Sequence, residues 1–187
     1  DVAGSLPKAS RAEEHVCRVV LPLYRDIDPR LREGMSFVCN FNVPLAWRNQ
    51  YCGVFTAKVD GVQFYLLDNE YYFKRRGIYG FFDDGERFAF FAKACLEMLQ
   101  YIDFEPDLIH ANDWQTALIP VFLNAFYRHI PRYSELKTVL TIHNIQYQGK
   151  YDERVSADVL GLPEEQRRLG EYDGCTNYLK GGICAAD

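Results

Sequence analysis

PDLIHANDWQTALIPVFLNAFYRHIPRYSELKTVLTIHN, residues 106–144, sets two short apolar runs on either side of a longer one. Pro106 to His110 is a short apolar run that stops at a polar cluster, and Lys137 to Ile142 is a second such run, β-branched at Thr138, Val139, Thr141 and Ile142. Between them, Trp114 to Arg128 carries bulky apolar residues at helical spacing, so the order reads strand, helix, strand. Parallel neighbours need a crossover of this kind, and the segment therefore predicts a parallel pair inside an α/β sheet.

Working outward, Phe88, Phe91, Ala92, Cys95, Leu96 and Leu99 recur at three and four, which predicts an amphipathic helix over 84–101 with Asp83 or Asp84 near its N-cap. Further upstream, Val16 to Leu21 reads as a buried strand stopped by Pro22, preceded by a short helix over 3–14 that holds Pro7 in its first turn. Between Ser36 and Leu67 the period changes to two, with a turn signal at Asp60-Gly61, so a β-hairpin or meander is inserted there. Residues 71–82, rich in Tyr, Phe, Gly and Arg, have no period and read as a loop. After Gly149 short helices are expected at 155–160 and 164–169, with a last one over 177–186. The fold class is thus α/β, a doubly wound, mostly parallel sheet with an inserted hairpin or meander, and residues 1–187 read as one domain.

Bulk properties exclude several functions. With 187 residues, 48% of them hydrophobic, the chain can bury an ordinary domain core. A net charge of -5 and scattered Lys and Arg residues give no footprint for nucleic acid. No apolar run approaches the roughly 18 residues that span a bilayer, and residues 1–8 lack the halves of a secretory signal, so no membrane partner and a cytoplasmic location are expected. Cys17, Cys39, Cys52, Cys95, Cys175 and Cys184 show no Cys-x-x-Cys spacing and read as reduced apolar fillers. His15, His110, His129 and His143 form no ligand cluster, so neither a metal nor any other cofactor is expected. The chain begins at Asp1 without Met and stops at Asp187 without a polar tail, which reads as a piece of something longer.

Two polar clusters close the two strands. In His110-Ala111-Asn112-Asp113-Trp114, Asp113 is placed either to cap a helix beginning near Trp114 or, with His110, to enter a sugar-sized cleft. In Thr141 to Gly149, His143, Asn144, Gln146, Tyr147 and Gln148 supply the donors, acceptors and aromatic faces that carbohydrate hydroxyls need. A strand exit held by its own side-chain hydrogen bonds is the other reading. Both clusters lie at the same edge of one parallel sheet, where such sheets bind ligands.

Six strings in register, DVAGSLPKA (1–9), VVLP (19–22), RFA (87–89), HANDWQT (110–116), TIHNIQYQG (141–149) and LKGGI (179–183), resemble the bacterial glycogen synthases and plant starch synthases. The resemblance implies a GT-B architecture, two Rossmann-like domains facing across a cleft. It implies a retaining transfer of glucose from ADP-glucose to the non-reducing end of an α-1,4-glucan. Residues 1–187 would be most of the N-terminal, acceptor-side domain, lacking its first strand with the Lys-x-Gly-Gly-Leu loop, and lacking the C-terminal nucleotide-sugar domain. Such a fragment would be inactive alone. By the same resemblance Asp1, Asp113 and His143 are catalytic, and His110, Asn144, Tyr147 and Gln148 bind substrate. No metal and no protein nucleophile are implied: ADP departs from an oxocarbenium-like glucose, and its phosphate oxygens take the proton of the attacking hydroxyl. A sheet without its first strand would also expose an edge at which self-association is expected.

Rival readings remain open. A UDP-sugar glucosyltransferase of the same architecture differs only in nucleotide choice. A non-catalytic glucan-binding module would use Tyr71, Tyr72, Phe73 and Tyr79 as a stacking platform. A flavodoxin-like regulatory domain is disfavoured, since the inserted hairpin has no purpose there.

Overall fold

The computed structural model describes residues 2–12 and 15–187. They form helix α1 (Val2–Ala12), strand β1 (Arg18–Pro22), helix α2 (Pro29–Glu33), strands β2 (Ser36–Leu45), β3 (Arg48–Val59) and β4 (Val62–Asp68), and helices α3 (Glu70–Phe73) and α4 (Asp84–Met98). Then come β5 (Leu108–Asn112), α5 (Leu118–Phe122) continued by a π-helical turn (Leu123–Tyr127), and β6 (Lys137–Thr141). The chain ends with β7 (Lys150–Asp152), α6 (Val155–Asp158), α7 (Glu164–Gly170), β8 (Glu171–Tyr172), β9 (Cys175–Asn177) and α8 (Tyr178–Ala185).

The chain divides into two compact units, one of Asp1–Phe41 and Tyr51–Gly80, the other of Asn42–Gln50 and Phe81–Asp187. A four-stranded sheet runs in the order β1-β4-β3-β2. There β4 lies parallel to β1, with Arg18 opposite Gln63, and antiparallel to β3, with Val59 opposite Val62 across the Asp60-Gly61 turn. Asp60 and Gly61 both have positive φ, 50° and 80°, as a tight hairpin of right-handed twist requires. Leu66, Leu67, Val54, Tyr72 and Phe73 are buried in this unit. Pro22 pairs with Leu67 as the last residue of β1 rather than stopping the strand before it. Pro7, expected in the first turn of α1, is its sixth residue, and Glu13 and Glu14, expected to end that helix, lie outside the described residues.

In the second unit β5 and β6 pair in parallel, Leu108 opposite Lys137 through Asn112 opposite Thr141. The expected α/β architecture with parallel pairing is therefore present, with the strands divided among three hydrogen-bonded sheets. The third, β7-β9-β8, is antiparallel and was not anticipated, because its strands are two or three residues long. Helix α4 differs from the amphipathic expectation, since Glu86 and Glu97 are its only residues not buried. Its buried charged groups have partners of two kinds, a carboxylate and aromatic faces. Fully buried Arg87 pairs with the Asp84 carboxylate and lies over the Phe81 ring at 4.6 Å, and the Lys93 ammonium lies 4.1 Å from the Phe126 centroid. The expected Trp114–Arg128 helix begins only at Leu118, because residues 113–117 are spent in turns.

Candidate functional site

The in-register parallel pairing carries β5 and β6 out at one edge, so the polar clusters after them meet. Asp113 leaves β5 with φ of 56°, a left-handed conformation that an aspartate tolerates better than most residues. Its N–H donates to the Thr141 carbonyl at 2.8 Å, and its Oδ1 accepts from the His143 N–H at 2.7 Å and the Asn144 N–H at 3.2 Å. Asp113 therefore caps no helix: α5 starts five residues on, with Ala117 before it. It ties the second loop to the first instead. Two imidazoles flank this tie, His110 with Nε2 2.7 Å from Thr141 Oγ1 and His143 with Nε2 2.9 Å from Asn112 Oδ1.

Further along the second loop, the side chain of Asn144 accepts from the Gln146 N–H at 3.0 Å, an Asx turn that keeps the backbone curled. Ile145 and Tyr147 are 58% and 65% exposed. Gln148 is engaged at both ends of its amide, donating to the Ile145 carbonyl and accepting from Asn177 Nδ2 at 2.8 Å. His110, Asp113, His143 and Asn144 are thus brought together, Tyr147 shares their loop, and Gln148 is occupied in holding the loop's shape. Asp1 lies outside the described residues.

Beneath the loop is a floor of rings that sequence reasoning missed. Phe88 meets Trp114 edge to face at 5.2 Å, Trp114 lies 6.1 Å from Tyr151 and 6.4 Å from Tyr178, and Tyr151 and Tyr178 are 5.0 Å apart. Gly149, at φ of 63°, leaves the loop directly over Trp114. Its carbonyl accepts from the Tyr178 N–H, and the Gln148 carbonyl accepts from the Leu179 N–H, both at 3.0 Å. The Tyr178 hydroxyl donates to the Gly85 carbonyl at 3.1 Å. Burial pushes the Tyr151 and Tyr178 phenols up, so both stay neutral donors at any ordinary pH. Asn177 caps α8 through the Lys180 N–H with the same amide that holds Gln148. An Asn immediately before a helical run was the available signal for that residue.

Such a rim can bind hydroxyl groups. It offers an imidazole, amides and a phenol around a backbone already fixed by a carboxylate. Among the described residues no group of three or more His, Cys, Asp or Glu is arranged to hold a metal ion. The stacking platform expected of a glucan-binding module is halved, since Tyr72 and Phe73 are fully buried while only Tyr71 and Tyr79 are exposed.

A family model described as the starch synthase catalytic domain matches residues 1–187. Proteins called glycogen synthase from Caldicellulosiruptor bescii and Bacillus cytotoxicus are 50% and 49% identical over 190 and 189 residues, covering all of this chain and 40% of each relative. The catalytic domain of starch synthase IV from Arabidopsis thaliana, solved with ADP and acarbose, superimposes with a TM-score of 0.87 at 25% identity, over all of this chain and 39% of that one. The chain thus spans about two fifths of the length of the relatives it matches. Matched over its whole length, and carrying at adjoining strand ends two of the six segments that suggested the resemblance, the chain belongs to the starch synthase catalytic domain family.

Proposed function

We propose that this chain forms the acceptor-side part of a retaining glucosyltransferase, which moves glucose from ADP-glucose to the non-reducing end of an α-1,4-glucan in the cytoplasm. The loops after β5 and β6 are its half of the sugar site. The observation that carries the reading is the tie from the Asp113 carboxylate to the His143 and Asn144 amides, in a chain half identical to proteins called glycogen synthase. Asp113 acts in this reading as a positioning residue, since its Oδ1 holds the His143 and Asn144 N–H groups. His143 and Asn144 face the transferring sugar, with His110 and Tyr147 beside them. The work of these residues is orientation and electrostatic complementarity, as the chemistry is a displacement in which the departing phosphate accepts the hydroxyl proton. The nucleotide would be held mainly by a second domain, and the chain alone is expected to be inactive.

A domain exchange tests this. Replacing the matching 190 residues of the Caldicellulosiruptor bescii enzyme by this chain should give a hybrid that elongates maltoheptaose from ADP-glucose in preference to UDP-glucose. In that hybrid Asp113→Ala should lower kcat/KM by about a hundredfold, the scale of a misplaced site. A folded hybrid with no transfer from either nucleotide would refute the proposal.

A further inference from the structure

The carboxamide of Asn112 has one end that only donates and one that only accepts. Its Nδ2 donates to the His110 carbonyl at 3.3 Å, an oxygen that can only accept, which settles the orientation of the amide. The other end, Oδ1, lies 2.9 Å from His143 Nε2 and must receive a proton from it. Thr116 holds the backbone of Asn112 from both sides, its hydroxyl accepting from the Asn112 N–H at 2.6 Å and donating to the Asn112 carbonyl at 2.8 Å. The His143 backbone is held independently by Asp113. His110 has no such director, because its partner Thr141 Oγ1 can donate or accept.

We propose that Asn112 is a positioning residue that fixes His143 as the Nε2–H tautomer, leaving Nδ1 as the ring's acceptor and matching it to a hydroxyl donor. A sugar hydroxyl has a proton to give at that point, whereas a fully ionised phosphate oxygen does not, so His143 selects the sugar end of a nucleotide-sugar rather than its diphosphate. This inference rests on the sugar-site reading and adds the polarity of one contact to it.

Histidine-labelled chain, examined by long-range proton–nitrogen correlation at about pH 8.5, above the ordinary imidazole range near 6.5, reads the tautomers directly. His110→Gln and His143→Gln assign the signals. His143 should be mainly Nε2–H. Asn112→Ala should move its tautomer ratio about fivefold toward Nδ1–H, the factor that corresponds to one neutral hydrogen bond, while the His143 and Asn144 amide shifts stay in place. Asn112→Asp keeps the acceptor and should keep the tautomer. A mainly Nδ1–H ring in the unsubstituted chain, or a ratio insensitive to Asn112→Ala, would overturn the inference. Maltoheptaose added to the same samples separates the two claims. A response to sugar with an unfixed tautomer sinks only the role of Asn112, and a fixed tautomer in a hybrid enzyme without transfer sinks only the functional reading.

Discussion

Replacing Gly149 by alanine should damage the protein at the point where the second loop rejoins the body of its unit. Two costs add. A residue with a side chain at φ of 63° gives up about 1–2 kcal/mol relative to glycine. The new Cβ would also stand 2.5 Å from Trp114 Cε3, 3.1 Å from Trp114 Cδ2 and 3.2 Å from Tyr178 Cβ. The indole cannot retreat easily, since Trp114 is packed against Phe88, Tyr151 and Tyr178, and overpacking of this kind costs about 1–3 kcal/mol. The sum is about 2–5 kcal/mol, or a fall in Tm of about 4–20 °C for a chain of this size. Gly174 is the control: its φ is 70°, yet a Cβ there meets nothing within 4 Å, so Gly174→Ala should carry the backbone cost alone. Urea denaturation of both variants isolates the steric part as their difference. If Gly149→Ala proves no worse than Gly174→Ala, the packed floor under the loop is not what holds it, and the argument fails.

Asp113→Ala should cost about 2–4 kcal/mol, from two lost charged hydrogen bonds and a poorly tolerated φ. Asp113→Asn, which keeps an acceptor and tolerates the conformation, should cost less than half of that in the same denaturation assay, and equal losses would contradict the tie. Arg87→Met leaves the buried Asp84 carboxylate without its guanidinium and should destabilise by about 3–5 kcal/mol. Adding Asp84→Asn should recover part of the loss, and strict additivity of the two changes would argue against the pair. Tyr127, Tyr133, Tyr151 and Tyr178 all have phenols pushed up chiefly by burial, Tyr133 to about 12. Unfolded tyrosines lose protons near 10, so the unfolded state binds fewer protons and stability falls as pH rises from about 10 through 12. Absorbance titration should show these four of the 13 tyrosines ionising late and with unfolding; a single transition near pH 10 would refute their burial.

The architecture was readable where periodicity was long or turn chemistry strong. The β5 and β6 segments, the Asp60-Gly61 turn and α4 all stand close to where the residues put them. What failed did so for tertiary reasons. The run from Trp114 has helical spacing, but Asp113 turns left-handed to reach His143 and Asn144, and the helix waits until Leu118. Strands β7, β8 and β9 are too short to show a period and exist because they pair with one another. At the site, the convergence of His110, Asp113, His143 and Asn144 followed from parallel topology, whereas the parts played by Asn112, Asn177 and Tyr178 did not. Each acts at the site through a neighbour distant in sequence, His143, Gln148 and Gly85 respectively, and although Asn177 has a local helix-cap signal, no local pattern records those pairings.

The way the second loop is anchored says where its ordering cost falls. Asp113 holds its beginning through two backbone N–H groups, and Tyr178, Leu179 and Asn177 hold its end through the Gly149 carbonyl, the Gln148 carbonyl and the Gln148 side chain. Fixing the backbone of the seven residues from His143 to Gly149, anchored ones included, costs on the order of 7–14 kcal/mol at about 1–2 kcal/mol each, and folding meets that cost before any ligand arrives. Little of it is then left to be drawn from the free energy of sugar binding, which is the benefit of a preorganised site. The anchors and the exposed residues between them should consequently respond differently to substitution. Tyr147, 65% exposed and tied through its backbone N–H to the Asn144 carbonyl, should change affinity for sugar while leaving Tm where it was. Asn177→Ala, which frees Gln148 and uncaps α8 together, should lower both. A Tyr147→Ala variant that melted as early as Asn177→Ala would mean that the loop is held by its exposed side chains, and the division between anchors and contacts would have to be abandoned.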